Sequence, residues 1–192
     1  VSVPEADALR GVVLARHGET NDNREPMRFQ GFTDTPLNET GRAQAHELAQ
    51  RIVDEAEPMR SLWASDLSRA RETAEIVGAR IGLGVRLDPR LREASRGRWE
   101  GYTFDEIKRS EPEQYAAWMR AGPDWRFPGG ESLQEQQDRV LAALNDIEAT
   151  GELPALVVCH GGSIRVVLCS RDPRGLAAFQ EFKIPNVAVL KL

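Results

Sequence analysis

Gly11-Val12-Val13-Leu14-Ala15-Arg16-His17-Gly18-Glu19-Thr20 is the stretch from which the rest of the chain is best approached. Its short β-branched apolar run predicts a strand buried on both faces, with Arg16, His17 and Gly18 delivered in succession at the carboxyl end. In an open α/β sheet that edge is where ligands bind. The five donors of Arg16 need an anion or solvent, and its charge opposes protonation of His17. The pair therefore suits a neutral, nucleophilic imidazole facing a phosphate. Gly18 supplies backbone freedom for a turn, which is expected to leave His17 exposed.

The chain has 192 residues and 41% hydrophobic content, which predicts one globular domain spanning residues 1–192 with a sizeable core. A net charge of −5 and a pI near 5.4 give no basic surface for nucleic acid or an anionic membrane. Any phosphate site must then owe its attraction to arginines gathered in a cleft. Cys159 and Cys169 fall in apolar stretches and are expected as small buried hydrophobes without a disulfide. No apolar run approaches the roughly 18 residues of a membrane span, and Val1 to Arg10 has neither a basic nor an apolar leader region. A cytoplasmic enzyme is expected. Nothing in the sequence speaks to oligomeric state.

Asn21 to Asp34 is a polar, Gly- and Pro-containing loop long enough to be functional, and it carries Asn23, Gln30 and Gly31. A helix is predicted from Asn38, with Ala45, Leu48, Ala49, Ile52 and Val53 toward the core and His46 off that stripe. Ser61 to Ser65 predicts a second strand. Ser65 or Asp66 then caps a helix that buries Leu67, Ala70, Ala74 and Val77, with Arg69 near its N-terminus and Arg71 paired to Glu72 or Glu75 outside. Gly84 to Leu91 predicts a short or edge strand broken at Asp88-Pro89, leading into Leu91-Arg92-Glu93.

Arg96 to Gly101 is a turn-rich loop. Thr103 with Glu106 forms a capping box, Glu111 to Arg120 a further helix, and Ser132 with Glu135 a second box after the Pro128-Gly129-Gly130-Glu131 turn. Trp118, Trp125 and Phe127 suit either a substrate-pocket wall or satellite packing under a loop. Pro154 to His160 is a second clearly buried strand ending in histidine and glycine, with a helix from Ser163 beyond it. Asn186 to Leu192 closes the chain as a strand. Strands alternate with helices, so the fold class is α/β, a three-layer α/β/α arrangement around a mainly parallel sheet. Parallel strands align their carboxyl ends, which brings His17 and His160 to one edge with Arg16, Arg69 and Glu93.

Several of these elements, in this order, resemble the histidine phosphatase superfamily, the phosphoglycerate mutase-like enzymes. The resemblance rests on Leu14-Ala15-Arg16-His17-Gly18-Glu19-Thr20 with Asn23, Ser65-Asp66-Leu67-Ser68-Arg69-Ala70, Leu91-Arg92-Glu93, Gly129-Gly130-Glu131-Ser132 and His160-Gly161-Gly162-Ser163-Ile164-Arg165. It implies a phosphomonoesterase working without metal or other cofactor. His17 would become phosphorylated, Arg16, Arg69 and a second imidazolium at His160 would surround the phosphoryl group, and Glu93 would be the proton donor and acceptor. Asn23, Gln30 and the Gly31 backbone match loop positions that bind phosphate or substrate, and Gly161 would add a backbone N–H. The implied partner is a small phosphorylated metabolite.

To begin as an acid at neutral pH, Glu93 needs either a raised pKa or a proton borrowed from the substrate. Arg96, Arg98 and Trp99, with Tyr115 to Phe127, are expected to shape the leaving-group pocket; the arginines suit either a second anionic group or a solvated loop. A phosphoglycerate mutase uses the same residues, but the interval from Glu93 to His160 is short for one and the chain stops soon after its last strand. A non-catalytic phosphate-binding domain is disfavoured because every expected catalytic residue type is present.

Overall fold

The structure, a computed structural model, describes Leu9 and residues 11–55 and 57–192; apart from Leu9, the segment Val1 to Arg10 lies outside the described residues. Strand β1 is Val12–Arg16, followed by α1 Glu39–Val53, β2 Ser61–Ala64, α2 Ser68–Ile81 and β3 Val85–Leu87. Two short helices, α3 Phe104–Ser110 and α4 Pro112–Met119, precede α5 Leu133–Ala149, β4 Ala155–Cys159, α6 Gly161–Arg171 and β5 Val189–Lys191. The sheet order is β3-β2-β4-β1-β5, parallel throughout except for β5, which runs antiparallel to β1.

Two-residue alternation divides the core. Val13, Ala15, Leu156 and Val158 face α1 and α2, packing on Leu48, Ile52, Ala70, Ala74 and Val77. Val12, Leu14, Ala155 and Val157 face the other way onto Val140, Leu144 and Ile147 of α5 and Ile164 and Val167 of α6. Apolar partners on both faces give the central strands their near-continuous hydrophobic runs. Both cysteines are buried and free. No helix among the described residues is long and apolar enough to cross a membrane.

Local chemistry sets the helix starts. Asn38 caps α1 by accepting from the Gly41 N–H at 2.8 Å, and both capping boxes form, at Thr103 with Glu106 and at Ser132 with Glu135. Such caps contribute about 1 kcal/mol each. Four local expectations need correction. Val53 is 40% exposed because it falls at the end of α1, off the buried stripe. Helix α2 begins at Ser68 with no side-chain cap: the Ser65 hydroxyl meets His160 and Asp66 forms a bidentate pair with Arg92 at 2.7 and 2.5 Å, so both are engaged elsewhere. Helix α6 begins at Gly161 rather than Ser163, because Glu93 satisfies the Gly162 N–H in its first turn at 2.8 Å. His17 is buried, 2% exposed; a Cβ on Gly18 would overlap the Gly41 carbonyl, so that glycine serves close approach of α1 to the strand end.

Candidate active site

The pairing register of β1 and β4 sets Arg16 beside Cys159, so the next residues, His17 and His160, leave adjacent strands at the same level. The His17 N–H donates to the Cys159 carbonyl at 3.0 Å, and the two imidazole centroids are 5.1 Å apart, close to the spacing of neighbouring strands. His17 Nδ1 lies 2.7 Å from its acceptor, the Gly18 carbonyl. A carbonyl can only accept, so Nδ1 carries the proton and the lone pair is on Nε2. Burial, reinforced by Arg69 and Arg16, holds the ring well below the usual histidine range and therefore neutral.

His160 Nε2 is 2.8 Å from the Ser65 hydroxyl, which also accepts from the Leu67 N–H at 3.3 Å. With that hydroxyl proton directed at Nε2, Nδ1 of His160 is the N–H donor. Burial first, then Arg69 and His17, keep this ring neutral too. The imidazolium expected at His160 is thus replaced by a neutral donor.

Arg16 closes one side, its Nη1 donating to the Ile184 carbonyl at 2.5 Å. Arg69 is fully buried near the start of α2, with Nη1 on the Thr33 carbonyl at 2.9 Å and Nη2 on the Gly31 carbonyl at 2.8 Å. Gly31 therefore orients Arg69 through its carbonyl. Burial lowers both guanidiniums to about 10, which leaves them charged at neutral pH. Asn23 accepts from Thr20 N–H through Oδ1, and Gln30 donates to the Thr20 hydroxyl. Arg16 Nε, Arg69 Nε, His160 Nδ1 and Asn23 Nδ2 are buried with no hydrogen-bond partner in the protein. Arg16, His17, Asn23, Gln30, Gly31, Glu93 and Gly161 all line one cavity of about 340 Å³.

Glu93 accepts from the Gly162 N–H at 2.8 Å, the Ala94 N–H at 2.9 Å and Gln136 Nε2 at 2.9 Å, and Arg96 Nη2 is 3.4 Å away. Burial alone would raise its pKa, but the Arg96 charge and these donors outweigh it and hold the carboxyl at about 2. Of the two sources of its proton, a raised pKa is excluded in the protein alone. Gly162 permits the contact, since a Cβ there would overlap Glu93 Oε1. Gly162→Ala is expected to retain the fold and lose roughly 100-fold in turnover of an alkyl phosphate through displacement of the carboxylate; unchanged kcat in a variant with wild-type circular dichroism would refute this.

Several supporting residues escaped the sequence reading. Arg139 donates to the carbonyls of Arg90, Arg92 and Glu93 at 2.7–2.9 Å and to both oxygens of Glu131, clamping the segment that presents Glu93. Glu100 gathers the N–H groups of Phe32, Thr33 and Arg96 and so fixes the loop that orients Arg69. Gln136 had a visible signal, a polar side chain on the apolar stripe of α5. The expected leaving-group wall is corrected in part. Arg96, Tyr115 and Trp118 line the cavity, whereas Arg98 is exposed and paired with Glu111 at 2.7 Å. Trp99 is buried between Trp125 and Phe127, as satellite packing.

This geometry agrees with sequence comparison, in which the family model for the histidine phosphatase superfamily (branch 1) matches residues 12–192. The chain belongs to that superfamily and is an enzyme of its phosphatase class. It is 41% identical to phosphoglycerate mutase-like protein 4 of Arabidopsis thaliana over 158 residues, 80% of this chain and 67% of that protein. It is 36% identical over 164 residues to a glucosyl-3-phosphoglycerate phosphatase of Mycolicibacterium vanbaalenii, covering 81% of this chain and 71% of the relative. The solved mycobacterial glucosyl-3-phosphoglycerate phosphatase in complex with VO3 superposes with a TM-score of 0.82 at 32% identity, covering 93% of this chain and 88% of that one.

Proposed function

We propose that the chain is a single-domain, metal-independent phosphomonoesterase that hydrolyses small phosphorylated metabolites through a phosphohistidine on His17. The observation that carries this reading is the set of buried, unpartnered N–H donors around a neutral imidazole: Arg16 Nε, Arg69 Nε, His160 Nδ1 and Asn23 Nδ2. Such groups are costly to bury unless they meet an acceptor, and a phosphoryl group offers three acidic oxygens. In the first half-reaction Nε2 of His17 attacks phosphorus, the bond to the leaving oxygen breaks, and Glu93 passes that oxygen a proton. In the second, water attacks, the phosphorus–nitrogen bond breaks, and Glu93 receives the proton that water sheds. Arg16, Arg69 and His160 stabilise the charge on the equatorial oxygens, with Asn23, Gln30 and the Gly161 N–H at the start of α6 completing the cradle.

Clustered guanidiniums oppose a divalent cation here, which supports metal independence. The short interval between Glu93 and His160 supports hydrolysis over return of the phosphoryl group to a sugar acid. A cytoplasmic location is part of the reading and fits two free, buried cysteines. The test is steady turnover of an aryl phosphate in excess chelator together with capture of an acid-labile phosphoryl group on the protein. A strict metal requirement, or isomerisation of phosphoglycerate outrunning its hydrolysis, would overturn it.

A pH dependence follows from the carboxyl at about 2. Glu93 is ionised above that value, so the proton for the leaving oxygen must enter with the ester monoanion, whose second pKa is about 6. Whether it rests on phosphate or on Glu93 once bound, the reactive complex contains that one proton. For an alkyl phosphate, kcat/KM is expected to be level toward pH 5 and to fall about tenfold per unit above ~6.5. His17, depressed below its ordinary value, is neutral throughout this range and adds no acid limb near pH 6. A profile level through pH 8 would contradict the assignment.

A further inference from the structure

Resting on the phosphomonoesterase reading, two more guanidiniums need an explanation, because Arg96 and Arg165 line the cavity that holds His17. The Arg96 side chain is 10% exposed. Its Nη2 faces Glu93, its plane packs on Phe127 at 4.3 Å, and its buried Nη1 has no partner. Arg165 comes one turn after Gly161 on α6, hence on the same helix face. It packs over Phe179 at 5.4 Å, its buried Nε is without a partner, and it forms no ion pair with a carboxylate among the described residues.

The charges do not balance for a simple ester. Arg16 and Arg69 match a phosphoryl group of charge −1 to −2, and Arg96 shares its charge with Glu93. Arg165 then stands uncompensated beside a desolvated cavity. Arg28, the remaining cation on the wall, is already engaged by the Gly101 carbonyl at 2.7 Å and by Glu106 at 3.7 Å. Much of the remaining lining is apolar, from Met27, Phe104, Tyr115, Trp118, Met119 and Ile184.

We infer that Arg165, with the unpartnered Nη1 of Arg96, forms a second anion subsite that takes a carboxylate carried on the leaving group of the phosphate ester. One residual positive charge calls for one negative charge, and a planar guanidinium fork matches a carboxylate in two hydrogen bonds. The apolar walls contact the carbon skeleton between the two acid groups. The substrate class is then a phosphorylated hydroxy acid rather than a neutral alcohol or sugar phosphate.

The experiment compares kcat/KM for phosphoglycolate and ethyl phosphate, which differ in the carboxylate, in the wild type, Arg165→Gln and Arg165→Lys. The wild type is expected to prefer phosphoglycolate by about 10- to 100-fold, the range of a charge-assisted pair. That ratio should fall toward one in Arg165→Gln and lie between the two in Arg165→Lys, which keeps the charge without the fork. Equal efficiency of the wild type on both esters overturns the subsite and leaves the phosphomonoesterase reading standing. An unchanged preference in well-folded Arg165→Gln overturns the assignment to these arginines. Turnover of neither ester, with no phosphoryl group captured on the protein, overturns the reading beneath it as well.

Discussion

His17→Ala is expected to abolish turnover of every phosphate monoester, by roughly 10⁵-fold or more, and to leave no acid-labile phosphoryl group on the protein. The size of the effect follows from the local arrangement. Nε2 is the lone pair presented among Arg16, Arg69 and the His160 N–H, and its tautomer is fixed by the Gly18 carbonyl at 2.7 Å. His160 cannot replace it, since its Nε2 is occupied by Ser65. The ring fills a buried position, so the companion variant His17→Gln, with far-ultraviolet circular dichroism matching the wild type, separates lost chemistry from lost fold. Persistence of the acid-labile label in either variant would remove His17 from the role of nucleophile.

The second large effect is expected at Glu93 and depends on the substrate. Glu93→Gln keeps an acceptor for the Gly162 N–H but cannot shuttle a proton. With an alkyl phosphate, whose alkoxide leaves poorly, kcat should fall by about 10²- to 10⁴-fold. With 4-nitrophenyl phosphate, whose phenolate needs little assistance, the loss in the first step should be far smaller. Burst kinetics separate that step from hydrolysis of the intermediate, which also calls on Glu93. Equal losses for the two esters in the burst phase would show that the carboxylate merely supports the pocket.

Strand periodicity made the site legible before any coordinates. Two apolar runs ending in histidine and glycine, Val12–Arg16 and Ala155–Cys159, are adjacent and parallel. Arg69 could be placed because a helix following a strand starts at the same sheet edge, and Glu93 because it follows Leu91, which is fully buried. What sequence could not disclose is competition between local and distant partners. Ser65 and Asp66 are good capping residues, yet tertiary contacts with His160 and Arg92 claim their side chains. Hydrogen bonds from the Gly162 and Ala94 N–H groups outweigh the effect of burying Glu93, and their presence depends on where α6 begins. The approach of Gly18 to Gly41 is likewise a backbone contact between distant segments, with no trace in hydrophobic pattern.

The junction of β1 with β4 also carries a consequence for how activity is acquired. The imidazoles belong to opposite ends of the polypeptide, and their closeness depends on an in-register ladder that forms only when the final third of the chain joins the first. Recovery of catalysis during refolding should therefore track completion of the whole sheet, and an amino-terminal fragment ending before Ala155 should be inert however much helix it retains.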